Sequence, residues 1–194
     1  MSLETLNPTP EHLDIRRTIR RFAEREVEPQ AFAHNRSEVF NRELFRELGR
    51  LGFLGIIVPK RFGGAGMDVT AAVIVIEELA AADPAFTLSY LSHAVLFANN
   101  LARNGNDLQR ERFLPEVCDG RKIAGMAMSE SGGGTDVLAM AATARRDGDV
   151  YILDGKKMWI TNGAMGEGEL GDIFLVYART AARGPHGISL FVLE

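Results

Sequence analysis

The chain has little of several features that would each point to a particular kind of protein. It has one cysteine, Cys118, in 194 residues, which rules out an internal disulfide framework and fits a reducing compartment. Its 26 acidic residues outnumber its 22 basic ones, which leaves a net charge of -4 and no basic stripe for nucleic acid. No apolar run approaches the ~20 residues of a membrane-spanning helix. The N-terminus shows neither a secretory nor a transit peptide. We expect a cytoplasmic protein (mitochondrial matrix in a eukaryote) with no nucleic-acid partner.

Three familiar site motifs are also missing. Ser129 lies near glycines, but no Gly-x-Ser-x-Gly elbow surrounds it, and no histidine has a spacing that marks it as a base for the serine. The four histidines and the single cysteine show no metal-ligand spacing. The run 132–134 is Gly-Gly-Gly rather than Gly-x-Gly-x-x-Gly, and it opens no βαβ unit. These absences speak against a serine hydrolase, a metal site and a Rossmann domain.

The first part of the chain has the periodicity of helices. Apolar residues, which make up 46% of the chain, recur there at helical spacing. Capping residues mark where the helices begin. We expect helices starting at Pro10 (bent or ended by Pro29), after Asn41, and over 68–82, 84–103 and 107–117. Between the second and third, the glycine-rich segment 51–68 favours a tightly packed chain reversal, with direct ligand contact as the alternative.

The pattern changes near Asp119-Gly120, after which short strands alternate with tight turns. Asp147-Gly148 and Asp154-Gly155 are turn signals, and 163–172 is predicted to be a long loop. Predicted strands cover 122–129, 140–146, 150–153, 157–161, 173–179 and 188–193. The expected fold is α+β and multidomain, with an all-α N-terminal helical domain over 1–120 and an antiparallel, β-barrel-like domain over 121–194.

Two segments of the β region carry the chemistry. The first, 126–136, places a hydroxyl (Ser129), a carboxylate (Glu130), three glycines and a second hydroxyl (Thr135) after an apolar run. Glycines let a backbone approach a bulky ligand, and their N–H groups can receive phosphate oxygens. The second, 157–163, contains the single tryptophan, Trp159, followed by Ile160 and Thr161. An aromatic ring beside a hydroxyl suits a large planar heterocycle, so the two segments predict a dinucleotide site.

These segments resemble the flavin-binding signatures of the acyl-CoA dehydrogenase family. The first family signature runs hydroxyl-Glu-Pro-x-Ala-Gly-Ser-Asp, and the second runs Lys-x-Trp-Ile-Thr-Asn. The chain differs at Ser131, where proline is usual, at Gly133, where alanine is usual, and at Thr135, which replaces serine but keeps the hydroxyl. The resemblance covers the family's N-terminal and middle domains. It implies FAD as the cofactor and α,β-desaturation of an acyl-CoA as the reaction, with electrons passed to an electron-transfer flavoprotein.

The resemblance also implies roles for individual residues. Met126 and Met128 would give backbone contacts to the flavin, and Ser129 would bond its pyrimidine edge. Thr135 would contact the pyrophosphate and also the acyl-CoA. Trp159 would pack on the ring, beside Ile160, with Thr161 reaching N5. In the family the helix corresponding to 85–103 lines the acyl pocket, which makes the following candidates for substrate contact: Leu91, Val95, Leu96 and Asn99.

No residue of this chain matches the family's catalytic glutamate. That residue, and the helical bundle that completes the site and the tetramer, are expected beyond Glu194, so the 194-residue piece alone should be inactive and prone to aggregation. Glu77, Glu78 and Glu130 are not assigned as the base. Two alternatives remain: a flavin-dependent monooxygenase of the same superfamily, and a non-catalytic acyl-CoA or flavin-binding module. The apolar candidates favour a short or branched acyl group, as in the isovaleryl branch.

Overall fold

The computed structural model describes residues 8–181 and 185–194. Its first helix, α1 (Pro10–Phe22), continues through a π-helical segment (Ala23–Val27) into α2 (Glu28–Ser37). The expectation that Pro29 bends or ends this helix is wrong in its second part, because helix continues to Ser37. The π-helical segment has a wider turn than an α-helix and lies just before Pro29. In a regular α-helix the proline ring would clash with the carbonyl group one turn earlier.

The predicted capping residues begin the helices. Thr9 accepts from the His12 backbone N–H at the start of α1, and Asn41 Oδ1 accepts from Leu44 N at 3.0 Å to start α3 (Arg42–Arg50). Asp68 accepts from Ala71 N at 3.0 Å at the start of α4 (Val69–Ala82). These side chains satisfy amide groups that the first turn of a helix leaves free, so the sequence alone locates the starts.

Segment 51–68 forms the chain reversal that its glycines favour. The backbone folds back so that Ala65 N donates to Gly55 O at 2.9 Å and Gly66 N donates to Val58 O at 2.9 Å. A Cβ on Gly64 would stand 2.1 Å from Val58 O, so only glycine fits this crossing. The glycines therefore serve close packing within the reversal and, at Gly55 and Gly63, against Cys118 and Pro115.

The remaining helical part is a long rod followed by a short return. The rod comprises α5 (Pro84–Leu91), a π-helical segment (Ser92–Asn99) and α6 (Asn100–Asn104), which matches the helix expected over 84–103. The return is α7 (Asp107–Cys118), capped by Asn106. No helix within 8–181 and 185–194 is both long and apolar enough to cross a bilayer.

The β part is a mixed sheet that begins with β1 (Ala124–Ala127). The hairpin of β2 (Thr143–Asp147) and β3 (Val150–Asp154) is antiparallel, as is the pair β6 (Ile173–Arg179) and β7 (Ile188–Leu193). However, β1 and β6 run parallel, and β2 meets β6 in parallel at one residue. A helical region followed by a mostly β region confirms the predicted fold class, while purely antiparallel pairing does not hold, because β1 is aligned by the helices behind it rather than by a hairpin.

Two local predictions in the β part are wrong. Residues 157–161 are not a strand, and the predicted loop 163–172 contains a small hairpin of β4 (Ala164–Gly166) and β5 (Glu169–Leu170). Arg42 of α3 holds this hairpin from outside, with Nη2 2.8 Å from Glu169 Oε1 and Nη1 3.1 Å from Asp172 Oδ2. The hairpin thus depends on a partner about 130 residues away in the chain, which local turn signals do not reveal.

Candidate functional site

The first candidate segment leaves β1 and turns sharply. Glu130 and Gly133 exchange backbone hydrogen bonds at 3.0 and 3.1 Å, so that Ser131 and Gly132 form the tip of a tight turn. None of the glycines 132–134 has a positive φ, and a Cβ on any of them would meet nothing closer than 3.5 Å. The packing of the chain therefore does not require glycine at these positions. Glycines would be expected there if the backbone has to come close to a ligand.

The second candidate segment places its tryptophan in an unusual position. Trp159 is 76% exposed and has φ +54°, a left-handed conformation that bulky residues rarely adopt. Trp159 is therefore not a core residue of the strand predicted over 157–161. Ile160, next to it, instead lines an apolar cavity of about 340 Å³ against the sheet, with Ala127 and Phe174. The segment thus places one half-buried apolar side chain against the sheet and presents the larger one to solvent.

A buried ion pair joins the two segments. Lys157 Nζ lies 2.8 Å from Glu130 Oε1 and donates to Met128 O at 3.1 Å. Met158 N donates to Ser129 O at 3.0 Å. These contacts bring the two segments side by side, although about thirty positions separate them in the sequence, and they explain why 157–161 cannot pair as a strand elsewhere.

The Glu130 carboxylate is fully engaged. Besides Lys157, it accepts the backbone N–H groups of Ala141 and Ala142 at 2.6 and 2.9 Å. Burial acts to raise the pKa of Glu130, but the Lys157 bond and the two backbone donors outweigh it and lower that pKa. A carboxylate stabilised in its charged form makes a poor proton acceptor, so Glu130 is unsuited to act as a base.

Glu77 and Glu78 are also unsuited to act as bases. Both lie on α4 and bind Arg16 of α1, while Glu78 also accepts from Arg20 Nε at 2.7 Å. Burial opposes ionisation of Glu78, but the two arginines prevail and lower its pKa. All three glutamates are thus held in ion pairs: Glu77, Glu78 and Glu130.

The second segment is also attached to the long helical rod. Asn162 Nδ2 donates to Ser89 O at 3.0 Å and to Ala124 O at 2.9 Å, and Ser92 Oγ lies 3.5 Å from Thr161 O. Because both partners of the amide nitrogen are carbonyls, the orientation of the Asn162 side chain is fixed. Its Oδ1 is buried without a partner among the described residues.

All the candidate cofactor residues are accessible. Their neighbours Ala127, Glu130 and Asn162 are buried, yet none of the candidates is. Thr135 and Trp159 are exposed, and the others are half-buried: Met126, Met128, Ser129, Ile160 and Thr161. The hydroxyls, the aromatic ring and the glycines are thus accessible, while the residues that hold them in place are buried. A ligand-binding surface requires this arrangement.

The candidate substrate residues are half-buried as a group: Leu91, Val95, Leu96 and Asn99. Ala94 and Phe97 of the same rod are buried and belong to the core. The rod's hydrogen bonds to segment 157–163 come from Ser89 and Ser92, which sequence reasoning did not single out.

Sequence reasoning also missed the roles of Lys157, Glu130 and Asn162. All three lie within the segments that carry the family resemblance, so their positions were visible. Their function was not, because it consists of contacts between the segments and with the rod.

The fold is thus a helical region packed on a mostly β region, with the Trp159 ring exposed. Two family models match the chain: the acyl-CoA dehydrogenase N-terminal domain over residues 9–121 and the acyl-CoA dehydrogenase middle domain over residues 125–194. The chain belongs to the acyl-CoA dehydrogenase family, which confirms the resemblance.

Individual similar proteins and structures point to the same family. Mitochondrial isovaleryl-CoA dehydrogenase of Pongo abelii is 40% identical over 189 residues, 95% of this chain and 44% of the relative. The structure of butyryl-CoA dehydrogenase from Megasphaera elsdenii superposes with a TM-score of 0.88 at 31% identity, covering 96% of this chain and 49% of that one. A glutaryl-CoA dehydrogenase from Mycobacterium smegmatis, solved with FADH2, gives 0.86 at 31% identity, covering 96% and 46%. The chain spans about half the length of these relatives.

Proposed function

We propose that this chain supplies the FAD-binding and part of the acyl-binding surface of an enzyme that oxidises an acyl-CoA thioester to the 2-enoyl-CoA. The observation that carries the proposal is Trp159, a solvent-facing ring in a left-handed conformation, next to the turn that presents Ser129 and Thr135. A large aromatic residue is left exposed at this cost when something flat is to pack on it. The names of the relatives support the same reaction class.

The residues present suit FAD. When bound, the flavin supplies the acceptor for a hydride from the substrate β-carbon. Ser129 and Thr161 carry half-buried groups that can bond the polar edges of the ring, and exposed Thr135 offers a hydroxyl to a phosphate oxygen. Met126 and Met128 would contribute backbone contacts from β1 and the residues after it. Trp159 would exclude water from the face that it covers, and Ile160 would contribute through its backbone, since its side chain lines the cavity below.

The acyl group would lie along the rod over 84–104. Leu91, Val95, Leu96 and Asn99 would contact it, and Thr135 would meet both substrate and cofactor. Ser89 O, which accepts from Asn162, and Ser92 Oγ, which donates to Thr161 O, would hold this pocket in register with the flavin edge. A mainly apolar lining suits a short or branched aliphatic acyl chain.

The family further suggests an electron-transfer flavoprotein as the electron acceptor and a homotetramer for the complete enzyme. Composition and sequence pattern suggest a cytoplasmic location, or the mitochondrial matrix in a eukaryote, and a domain boundary near residue 120. No residue of this chain is proposed as the catalytic base.

A cofactor analysis tests the central proposal. The protein should purify yellow, and the flavin released by acid should elute with FAD rather than FMN. Addition of short or branched acyl-CoA to the full-length enzyme should bleach the flavin under anaerobic conditions. A protein that takes up no flavin when reconstituted with FAD, or that binds FMN equally well, would contradict the proposal. Consumption of NADH and oxygen without any bleaching by acyl-CoA would instead indicate a monooxygenase.

A further inference from the structure

The conformation of Trp159 is held by its neighbours rather than by its own side chain. The ring is 76% exposed and has no aromatic partner among the described residues. An unsupported loop would relax a bulky residue out of the left-handed region, since only contacts around it can maintain that conformation. The source of the restraint must therefore lie in the residues that flank Trp159.

The flanking residues are anchored on both sides. Before Trp159, Lys157 and Met158 bond the segment around Ser129. After it, Gly163 N donates to Ile160 O at 2.9 Å, and Asn162 bonds carbonyls of the rod and of β1. The second anchor uses neutral hydrogen bonds. The first uses an ion pair, and it ties Trp159 to the loop that carries the hydroxyls.

That ion pair is poorly explained by stability alone. The side chains of Lys157 and Glu130 are 8% and 11% exposed, so both charges are largely removed from water. The cost of desolvating two charges offsets most of their attraction, and an apolar pair of similar volume often serves stability as well. A charged pair with fixed donors instead provides a unique geometry. Glu130 also accepts from the backbone N–H groups of Ala141 and Ala142, just before β2.

We propose that the Glu130–Lys157 pair is a positioning clamp that sets the orientation of Trp159 toward the ligand and thereby controls flavin affinity. This proposal rests on the proposed function, in which that ligand is the isoalloxazine ring of FAD. The pair does not contact the reacting atoms. It acts through Trp159 and through the carbonyls of Met128 and Ser129, which the same segment holds.

The chain provides its own reporter and its own control. Trp159 is the chain's single tryptophan, so intrinsic fluorescence reports on this position. Glu78 is a matched control: its side chain is 7% exposed, it is held by two arginines, and it lies among the N-terminal helices. The variants are Glu130→Gln and Lys157→Met, the conservative Lys157→Arg, and Glu78→Gln, each measured where circular dichroism shows a folded protein.

Two measurements separate positioning from general destabilisation. Time-resolved anisotropy of Trp159 without flavin should show the fast, local depolarisation at least doubling in Glu130→Gln and Lys157→Met. FAD titration, followed by quenching of the same fluorescence, should show at least a tenfold higher half-saturating concentration. For Glu78→Gln, both the depolarisation and the half-saturating FAD concentration should stay within twofold of the unmodified protein, even if its melting temperature falls further than that of the pair variants. Lys157→Arg keeps the positive charge and can retain the ion pair, so its depolarisation and FAD affinity should lie closer to those of the unmodified protein than the values for Lys157→Met do.

The clamp and the proposed function can fail separately. If FAD does not quench the unmodified protein, the proposed function is wrong, while the anisotropy still decides whether the pair restrains Trp159. Unchanged anisotropy and FAD affinity in both pair variants would overturn the clamp. Equal effects in Glu78→Gln would also overturn it, as would unfolding of Glu130→Gln under conditions where Glu78→Gln remains folded, because the pair would then be structural only.

Discussion

Acidification should loosen the junction between the helical rod and the sheet, because His93 is built into it as a neutral ring. The side chain is fully buried, and its Nδ1 accepts from Ala124 N at 3.0 Å, which leaves Nε2–H to donate to Val117 O at 2.9 Å. The ring also packs edge-on against Phe45 at 5.0 Å between centroids. Burial lowers the pKa of His93 to about 4, against weaker opposing effects of the Val117 bond and the charge of Asp172.

The sign and size of the effect follow from that pKa. Histidine in the unfolded chain titrates near 6.5, so between these two values the unfolded state binds a proton that the folded state does not. The stabilisation from neutral His93 is complete above about pH 6.5 and is lost as the pH falls toward 4. A difference of about 2.5 pKa units is worth about 3 kcal/mol in total, of which about 2.5 kcal/mol is lost by about pH 4.5.

Urea unfolding of the unmodified protein and of His93→Gln between about pH 7 and 4.5 tests this reasoning. Glutamine keeps a donor and an acceptor but does not titrate. Relative to His93→Gln, the unmodified protein should therefore lose about 2.5 kcal/mol of unfolding free energy as the pH falls over that range. Parallel pH curves, or an NMR titration that places the His93 pKa near 6.5, would refute it.

Three further predictions concern the site. Thr135→Val should weaken FAD binding by about 1–3 kcal/mol, because a phosphate oxygen loses its donor, and equilibrium dialysis should show this without a change in melting temperature. Gly133→Ala should leave FAD content intact, because alanine is usual at this position of the family signature, and should raise stability by about 0.4–1 kcal/mol, since the chain itself has room for the methyl group. Gly125→Ala should reduce FAD content, because its Cβ would stand 2.7 Å from Thr161 O, and equal effects of the two alanines would contradict the site. Val95→Phe should shift preference toward shorter acyl chains by a few-fold to ~100-fold in kcat/KM, and an unaltered profile would place chain-length selection elsewhere.

The sequence was sufficient wherever the physics is local. Helix starts at Thr9, Asn41, Asp68 and Asp83 follow from side chains that bond amides two or three residues ahead, so a short window contains all the information. The glycine-rich reversal and the tight turn at Gly148 are equally local. The two segments proposed to bind the cofactor could be located in the same way, because their residue types suggest the chemistry.

Tertiary structure decided what those segments do. Segment 157–161 has the apolar and β-branched composition of a strand, yet it forms none: Lys157 bonds Glu130, the backbone has a positive φ at Trp159, and the Trp159 ring is exposed. Likewise β1 runs parallel to β6 because the rod aligns it through His93, a contact that spans 31 positions. Such partners are distant in the chain, and their effect is a balance of burial, charge and hydrogen bonding that exists only once the two parts are packed together.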